Sequence, residues 1–335
     1  MRSRLNLRWM RSVHVIIAAT VLVVPASAFA LTTATGATGS ADASPTAPLP
    51  VRVTPRHVSL GDTIEVAGEA PTVGTGGKVV LEARFGRQSS WQRLSTTFVS
   101  RRGTFAFHAH PRHSGVLRAV AAGDQMASTA PADPRAIPAQ SSSHADVVAR
   151  RVTSFKVAAE VQTTRRQHDV IAGDPVRVAG RLLPGGAGRT VALQGHSAAG
   201  WRTLAHARTG GRGGFAVRYI PGATGLGRRL RVLFTGDRGN TRSVNAAGAM
   251  TVYQESLASW YQDGGSTACG FHAGLGVANR TLPCGTKVRF RHAGHTVTAT
   301  VDDRGPYVGG REWDLNQNTA GALGFDGVGT VWSAN

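Results

Sequence analysis

The feature that most constrains this chain is an internal repeat. Five landmarks occur twice, in the same order. The first copy carries Gly61-Asp62, Val66-Ala67-Gly68, Trp91-x-x-Leu94, Gly103-Thr104-Phe105 and Gly123-Asp124. The second carries Gly173-Asp174, Val178-Ala179-Gly180, Trp201-x-x-Leu204, Gly213-Gly214-Phe215 and Gly236-Asp237. Every landmark follows its counterpart at nearly the same spacing. Self-similarity at a fixed long period, here about 110 residues, marks a duplicated structural unit. Two modules are therefore expected, over residues 50–152 and 153–254.

Each copy alternates apolar and polar residues between Gly-rich turns. Val170, Val176 and Val178 mark one strand region, and Val191, Leu193, Leu230, Val232 and Phe234 mark others. Period-two segments of this kind predict an antiparallel, Ig-like β-sandwich. The 42 Gly and 15 Pro agree with short strands and many turns, and argue against a coiled coil or helical bundle. The Trp and Phe landmarks read as core anchors, because large aromatic residues are mostly buried. The Ala-, Pro- and Ser-rich stretch 125–147 reads as a long loop.

The N-terminus bounds the compartment. Arg2, Arg4, Arg8 and Arg11 precede an apolar run from Val15 to Val24, and small residues follow up to Ala30. A basic segment, a short apolar core and an A-x-A site describe a secretory signal peptide over residues 1–30. The run is too short to span a bilayer comfortably, and no later segment reaches the length of a transmembrane span. No cysteine lies near the cleavage site for a lipid anchor. Residues 31–49, small and polar, read as a flexible linker. The chain is thus expected to be exported. In that setting Cys269 and Cys284, its two cysteines, read as one disulfide. Closing a loop of that length is worth about 3 kcal/mol in the chain-entropy picture.

Charge divides the chain. Lys+Arg number 38 against 19 Asp+Glu, and the lysines are Lys78, Lys156 and Lys287 alone. Residues 31–255 carry a net +15, whereas residues 256–335 hold six groups of each sign. The positive field belongs to the repeats, which suits attachment to an anionic surface. A third reading takes the basic region as nucleic-acid binding, but export, scattered arginines and few interleaved aromatics argue against it, and no nucleic-acid partner is expected.

Within the charge-balanced C-terminal segment, Thr286, Val288 and Phe290 alternate with charged residues. Ala293-Gly294 makes a turn, and Thr296 to Val301 returns as a strand. Strict alternation puts Val297, Ala299, Val301 and Asp303 on one face. A carboxyl set against apolar neighbours has a raised pKa, which suits a general acid. The competing reading is an Asp that caps the Arg304-Gly305-Pro306 turn. Downstream, Asp314-Leu315-Asn316 opens a short helix that Asp or Asn can cap and Gly324 can stop. Asp314 therefore reads as a cap or network residue.

Five motifs in order make this region recognisable: Ala258-Ser259-Trp260-Tyr261, Thr267-Ala268-Cys269-Gly270, Arg280-Thr281-Leu282-Pro283-Cys284-Gly285-Thr286, Asp303-Arg304-Gly305-Pro306-Tyr307 and Trp313-Asp314-Leu315. Together they resemble the rare-lipoprotein-A-like (RlpA-like) double-psi β-barrel family, which is similar to expansin and endoglucanase barrels. The resemblance covers residues 258–335 and says nothing of 31–255. It implies a six-stranded barrel with a polysaccharide groove, acting as a lytic transglycosylase on peptidoglycan glycan strands. The overall expectation is an all-β chain: two repeated sandwich modules, then the barrel over 256–335.

The family's activity rests on an Asp, here Asp303, and on a His before the Thr-Leu-Pro motif. This chain has Asn279 at the His position. An amide can hydrogen-bond a sugar or a carboxylate but cannot exchange a proton near neutral pH. A lytic mechanism needs one acid/base group, because the sugar's own 6-hydroxyl attacks the anomeric carbon. An inverting hydrolase needs a second carboxylate, for which Asp263 and Asp314 are candidates.

Asn279, Tyr261, Arg304, Tyr307 and Asp314 are expected to bind or position substrate, the tyrosines by stacking on sugars. Trp260 reads equally as core. His272 lies between the cysteines and is a minor candidate. His292 and His295 flank a hairpin turn and lack further metal ligands. No metal or cofactor is expected. Asn279-Arg280-Thr281 matches a glycosylation sequon of little meaning in a bacterial product. The expected partners are peptidoglycan glycan strands and, for the basic repeats, anionic wall polymers. The rival function is a non-catalytic, expansin-like wall binder.

Overall fold

The computed structural model describes residues 48–122, 151–262 and 264–335. The expected signal peptide, the linker up to residue 47, the Gly123-Asp124 landmark, the 125–147 loop and Asp263 lie outside these residues. Among the described residues the chain is almost entirely β-strand, with one α-helix at Gln317–Leu323. No helix among the described residues is long and apolar enough to cross a membrane.

Three apolar clusters run in chain order. The first joins a three-stranded sheet (Val51–Thr54, Ile64–Glu69, Thr104–Ala109) to a second sheet containing Lys78–Phe85, Gln92–Phe98 and Gly115–Ala121. Ile64, Val66, Phe105 and Phe107 meet Val79, Leu81, Leu117 and Phe155 between the sheets. The second cluster repeats the plan. Strands Glu160–Thr163, Val176–Leu183 and Gly214–Tyr219 face Thr190–Ser197, Gly225–Gly236 and the start of Thr241–Tyr261.

Two of the repeat's landmarks are halves of one contact. Gly68 pairs with Phe105, and Gly180 pairs with Phe215. A Cβ on Gly68 would stand 2.6 Å from the Phe105 ring, and one on Gly180 would stand 2.6 Å from the Phe215 ring. The glycine leaves the space that the phenylalanine fills, so the two motifs travel together. A third landmark is a turn: Gly61 and Gly173 sit at φ +96° and +97°, where an L side chain is strained.

Several expectations change. Phe105 and Phe215 are core residues, but Trp91 and Trp201 are half-buried and belong to no apolar cluster. Both lie under arginines on the outer sheet face. Periodicity cannot tell inner from outer faces when the outer one carries an aromatic. Val170 and Val176 do not share a strand. Arg166–Ile171 pairs in parallel with the long strand, while Val176–Leu183 lies in the other sheet. The Gly173-Asp174 turn between them changes sheets. At the linker's end, Leu49 is buried and its N–H donates to Ala119 O. Beyond residue 152, Phe155 and Val157 pack into the first cluster, not the second.

Thr241–Tyr261 is one continuous strand. Its first half pairs with Gly225–Gly236, and its last part pairs with Gly329–Ala334 and Trp313–Asn316. It therefore passes from the second cluster into the third without a loop. The third cluster is a closed ring of six strands. From Thr241–Tyr261 the order runs through Trp313–Asn316, Gly276–Ala278, His295–Asp303, Lys287–His292 and Gly329–Ala334, and back to the start. Phe290 meets Trp313 edge-to-face at 5.1 Å in its core, with Val277, Val301, Leu315 and Val331 around them. Closure removes the exposed edges that an open sheet of this size would leave.

Candidate active site

The Lys287–His292 and His295–Asp303 hairpin forms around Ala293-Gly294, both at positive φ. Val297, Ala299 and Val301 point into the core as alternation predicts. The pattern then breaks. Opposite Val277 and Ala278 the register skips from Val301 to Asp303, so Asp302 is the extra residue of a β-bulge. Asp302, not Asp303, is the buried carboxylate, at 1% exposure. It accepts from Ala273 N–H at 2.8 Å and from Val277 N–H at 3.1 Å. A Cβ on Gly276 would run into its carboxyl.

Asp303 is half-buried and not set against an apolar face. Its Oδ1 accepts two backbone donors, Ala268 N–H and Arg304 N–H, each at 2.8 Å. Among the described residues its Oδ2 takes no hydrogen bond. The turn-cap reading holds at this carboxylate: Oδ1 orders the chain on both sides of it.

The disulfide fixes one of those donors. Cys269–Cys284 is formed, with Cα atoms 5.7 Å apart. It adjoins Ala268 and lies beside Arg304, whose Nη2 reaches Cys284 Sγ at 3.1 Å. Arg304 Nη1 donates to Asn279 O at 3.1 Å. Arg304 is thus a tie between two loops instead of an open sugar contact.

Asn279 also turns inward. It is 6% exposed, and its N–H donates to Asp303 O at 3.2 Å. Its side-chain Oδ1 accepts from Leu282 N–H at 2.8 Å and Thr281 N–H at 3.1 Å, while Nδ2 donates to Glu312 O at 3.3 Å. The expected sugar-positioning amide is occupied by the Arg280–Pro283 turn. Arg280 extends this network, donating to Pro306 O and Arg311 O at 2.8 Å each. Asp302, Arg280 and the Ala268 N–H were not among the expected site groups. The Asp302-Asp303 doublet was the visible signal, but a bulge has no sequence signature here.

Tyr307 is 82% exposed. Its ring passes 3.8 Å from where a Gly305 Cβ would stand, and Ala278 lies beside it. It is an exposed aromatic ring four residues beyond Asp303 in the chain. Tyr261 ends the long strand opposite Asn316, half-buried. Asp314 lies on the strand Trp313–Asn316, not at the start of the helix, and accepts from Ser259 Oγ at 2.8 Å. Asn316 is the helix cap, accepting from Thr319 N–H, and Gly324 ends that helix at φ 61°. Trp260 is 40% exposed, with Nε1 donating to Asp326. His272 is exposed. His292 and His295 face each other across the hairpin, and His292 packs edge-on against Phe325. No group of three His, Cys, Asp or Glu among the described residues is arranged to hold a metal.

Asp303 and Asp314 flank Ala278 on opposite sides, in register with it. Two strand spacings separate them, about 9–10 Å at Cα.

A family described as lytic transglycolase matches residues 253–332. A Synechocystis sp. protein named "Probable endolytic peptidoglycan transglycosylase RlpA" is 39% identical over 97 residues. The match takes in 26% of this chain and 30% of that protein's length. Among solved structures, a tetra-tandem repeat from the extending region of a large adhesion protein is 14% identical, at TM-score 0.30. It covers 77% of this chain and 64% of that one. A toxic shock syndrome toxin-1 superantigen structure is 12% identical, at TM-score 0.24, over 28% of this chain and 99% of that one. Neither likeness bears on fold or function. The motifs, the closed six-stranded ring and the family match agree on one region: the C-terminal domain is an RlpA-like double-psi β-barrel.

Proposed function

We propose that this is an exported cell-wall protein whose barrel cleaves peptidoglycan glycan strands as a lytic transglycosylase, with Asp303 as general acid/base. The observation that carries the reading is the state of Asp303. Two backbone N–H groups hold Oδ1, and no protein hydrogen bond blocks Oδ2 among the described residues. A carboxyl group oriented in this way, protonated on Oδ2, gives that proton to the glycosidic oxygen and, as the resulting carboxylate, takes the proton of the 6-hydroxyl that attacks the anomeric carbon. The proton returns to the base, so no second acid/base residue is required. Tyr307 offers a face for a sugar ring. The basic repeats hold the chain against anionic wall polymers.

A second reading has its own observation. Asn279 stands where the family has His, and its amide is bound to backbone on both sides. A barrel with one proton-active residue also suits an expansin-like binder that holds glycan without cutting it.

Digestion of purified glycan strands by the mature chain, with mass spectrometry of the ends, separates these. Anhydro-muramyl ends that disappear in Asp303→Asn support the transglycosylase, with an expected rate loss of about 10²–10⁴-fold. Reducing ends point to a hydrolase and make Asp314 the residue to test next. Retained glycan binding with no products removes the enzyme and leaves the binder.

A further inference from the structure

The repeats share a constellation that their landmarks only partly announce. In the first copy, Arg118 lies over the Trp91 ring at 4.3 Å, and its Nε donates to Glu82 Oε2 at 2.7 Å. In the second, Arg231 lies over the Trp201 ring at 4.1 Å, and its Nε donates to Gln194 Oε1 at 2.8 Å. Glu82 and Gln194, Trp91 and Trp201, and Arg118 and Arg231 are each separated by the spacing of the repeat itself. Arg84 stands over Trp91 at 5.1 Å, and its counterpart at that spacing, His196, is edge-on to Trp201 at 5.1 Å. The same device occurs in both copies, with a carboxylate acceptor in the first and an amide in the second.

That change alters the charge at the guanidinium. Arg118 is neutralised by a carboxylate at ion-pair distance. Arg231 is held by a neutral amide that is itself 8% exposed and anchored to Thr203 at 3.2 Å. Among the described residues Arg231 makes no ion pair. Burial and the positive charge of Arg242 also lower its pKa from the usual arginine value. Trp201 fixes the plane and Gln194 fixes Nε. Both leave the terminal nitrogens to present a fork, the geometry that grips an oxyanion.

We propose that Arg231, held by Trp201 and Gln194, is a receptor for the repeated oxyanion of an anionic wall polymer, a phosphodiester or a carboxylate. This rests on the reading that the repeats attach the chain to such polymers, and it narrows that attachment to one residue of one copy.

The test uses the full mature chain against two probes, poly(glycerol phosphate) and polygalacturonate, at matched salt. Tighter binding of the first identifies a phosphodiester site, and of the second a carboxylate site. Gln194→Glu rebuilds the self-neutralised pair of the first copy and should weaken binding by about tenfold. Arg231→Lys keeps the charge but loses the flat fork, and should weaken it comparably. Glu82→Gln should strengthen binding by making a second receptor. Arg218→Gln removes one exposed charge from the opposite sheet and should change binding little. A loss for Arg218→Gln equal to that for Gln194→Glu overturns the site and leaves attachment by bulk charge. Wild-type-like binding by Gln194→Glu and Arg231→Lys also overturns it. Failure of the wild type to bind either polymer at low salt overturns both the site and the attachment.

Discussion

At the Asp303 end of the barrel, Asp302, Asn279, Arg280 and Arg304 all direct their side chains at backbone or at the disulfide sulfur. On the outer sheet faces of the repeats, Arg118 and Arg231 lie over tryptophan rings, with side-chain partners only. The barrel uses polar groups to hold loops, so its charge balances and its geometry is fixed. The repeats use them as surface, so charge accumulates there. A site that must place one carboxylate oxygen needs the first arrangement, and one that must grip an extended anion needs the second.

The largest expected effect tests the barrel half of this comparison. Asp302→Ala removes a buried acceptor and leaves the Ala273 and Val277 N–H groups without it. Buried donors left unsatisfied cost about 1–3 kcal/mol each, so the barrel's unfolding transition should lose about 2–6 kcal/mol. Chemical denaturation that finds a loss under about 1 kcal/mol would show that this network is not what fixes the barrel end. The transitions of the repeats should not move.

Much of this was legible in the sequence, for identifiable reasons. The duplication was visible because Gly68–Phe105 and Gly180–Phe215 are obligate contacts that keep their spacing. The hairpin around Ala293-Gly294 was visible because a turn and two alternating strands are local. The roles of Trp91, Trp201, Asn279 and Asp303 were not. Alternation says that a residue faces one side, and not whether that side is core or solvent. A single bulge at Asp302 exchanged the environments of two adjacent carboxylates. The pairing of Arg231 with Gln194 joins two separate strands and cannot be seen in either segment alone.

Loss of the disulfide comes next. Cys269→Ser with Cys284→Ser should cost about 2–4 kcal/mol, again in the barrel transition alone. It should also lower the glycan-cleaving rate, because Ala268, which donates to Asp303, adjoins Cys269. An intact rate in the destabilised variant would show that the Ala268 contact survives without the bond.

Asn279→His sharpens the question of what the barrel gave up. It restores a proton-active residue but removes the amide that accepts from Thr281 and Leu282. An acid–base group contributes about 10²–10⁴-fold when well placed. Because the turn loses its cap, the gain should fall at the low end, about 10²-fold. Single-turnover digestion of glycan strands reads it. No gain, with unchanged glycan binding, would favour the binder.

The smallest effect lies on the repeats and tests whether their tryptophans are surface devices. Phe105 and Phe215 fill the cores, so Phe215→Ala should cost about 3–5 kcal/mol. Trp201→Leu keeps an apolar side chain on the outer face but loses the ring under Arg231. A cation over an indole at a partly exposed position is worth about 0.5–1 kcal/mol, so the loss should stay within that range. Trp91→Leu should cost about the same by this term, and its Arg118–Glu82 pair should persist because the two side chains meet directly. Without Trp201, Arg231 keeps only the Gln194 contact and loses its fixed plane. Polymer binding should therefore fall further in Trp201→Leu than in Trp91→Leu, although the two variants unfold alike. Thermal unfolding and polymer binding measured on the same samples check this. A cost near that of Phe215→Ala would return Trp201 to the core.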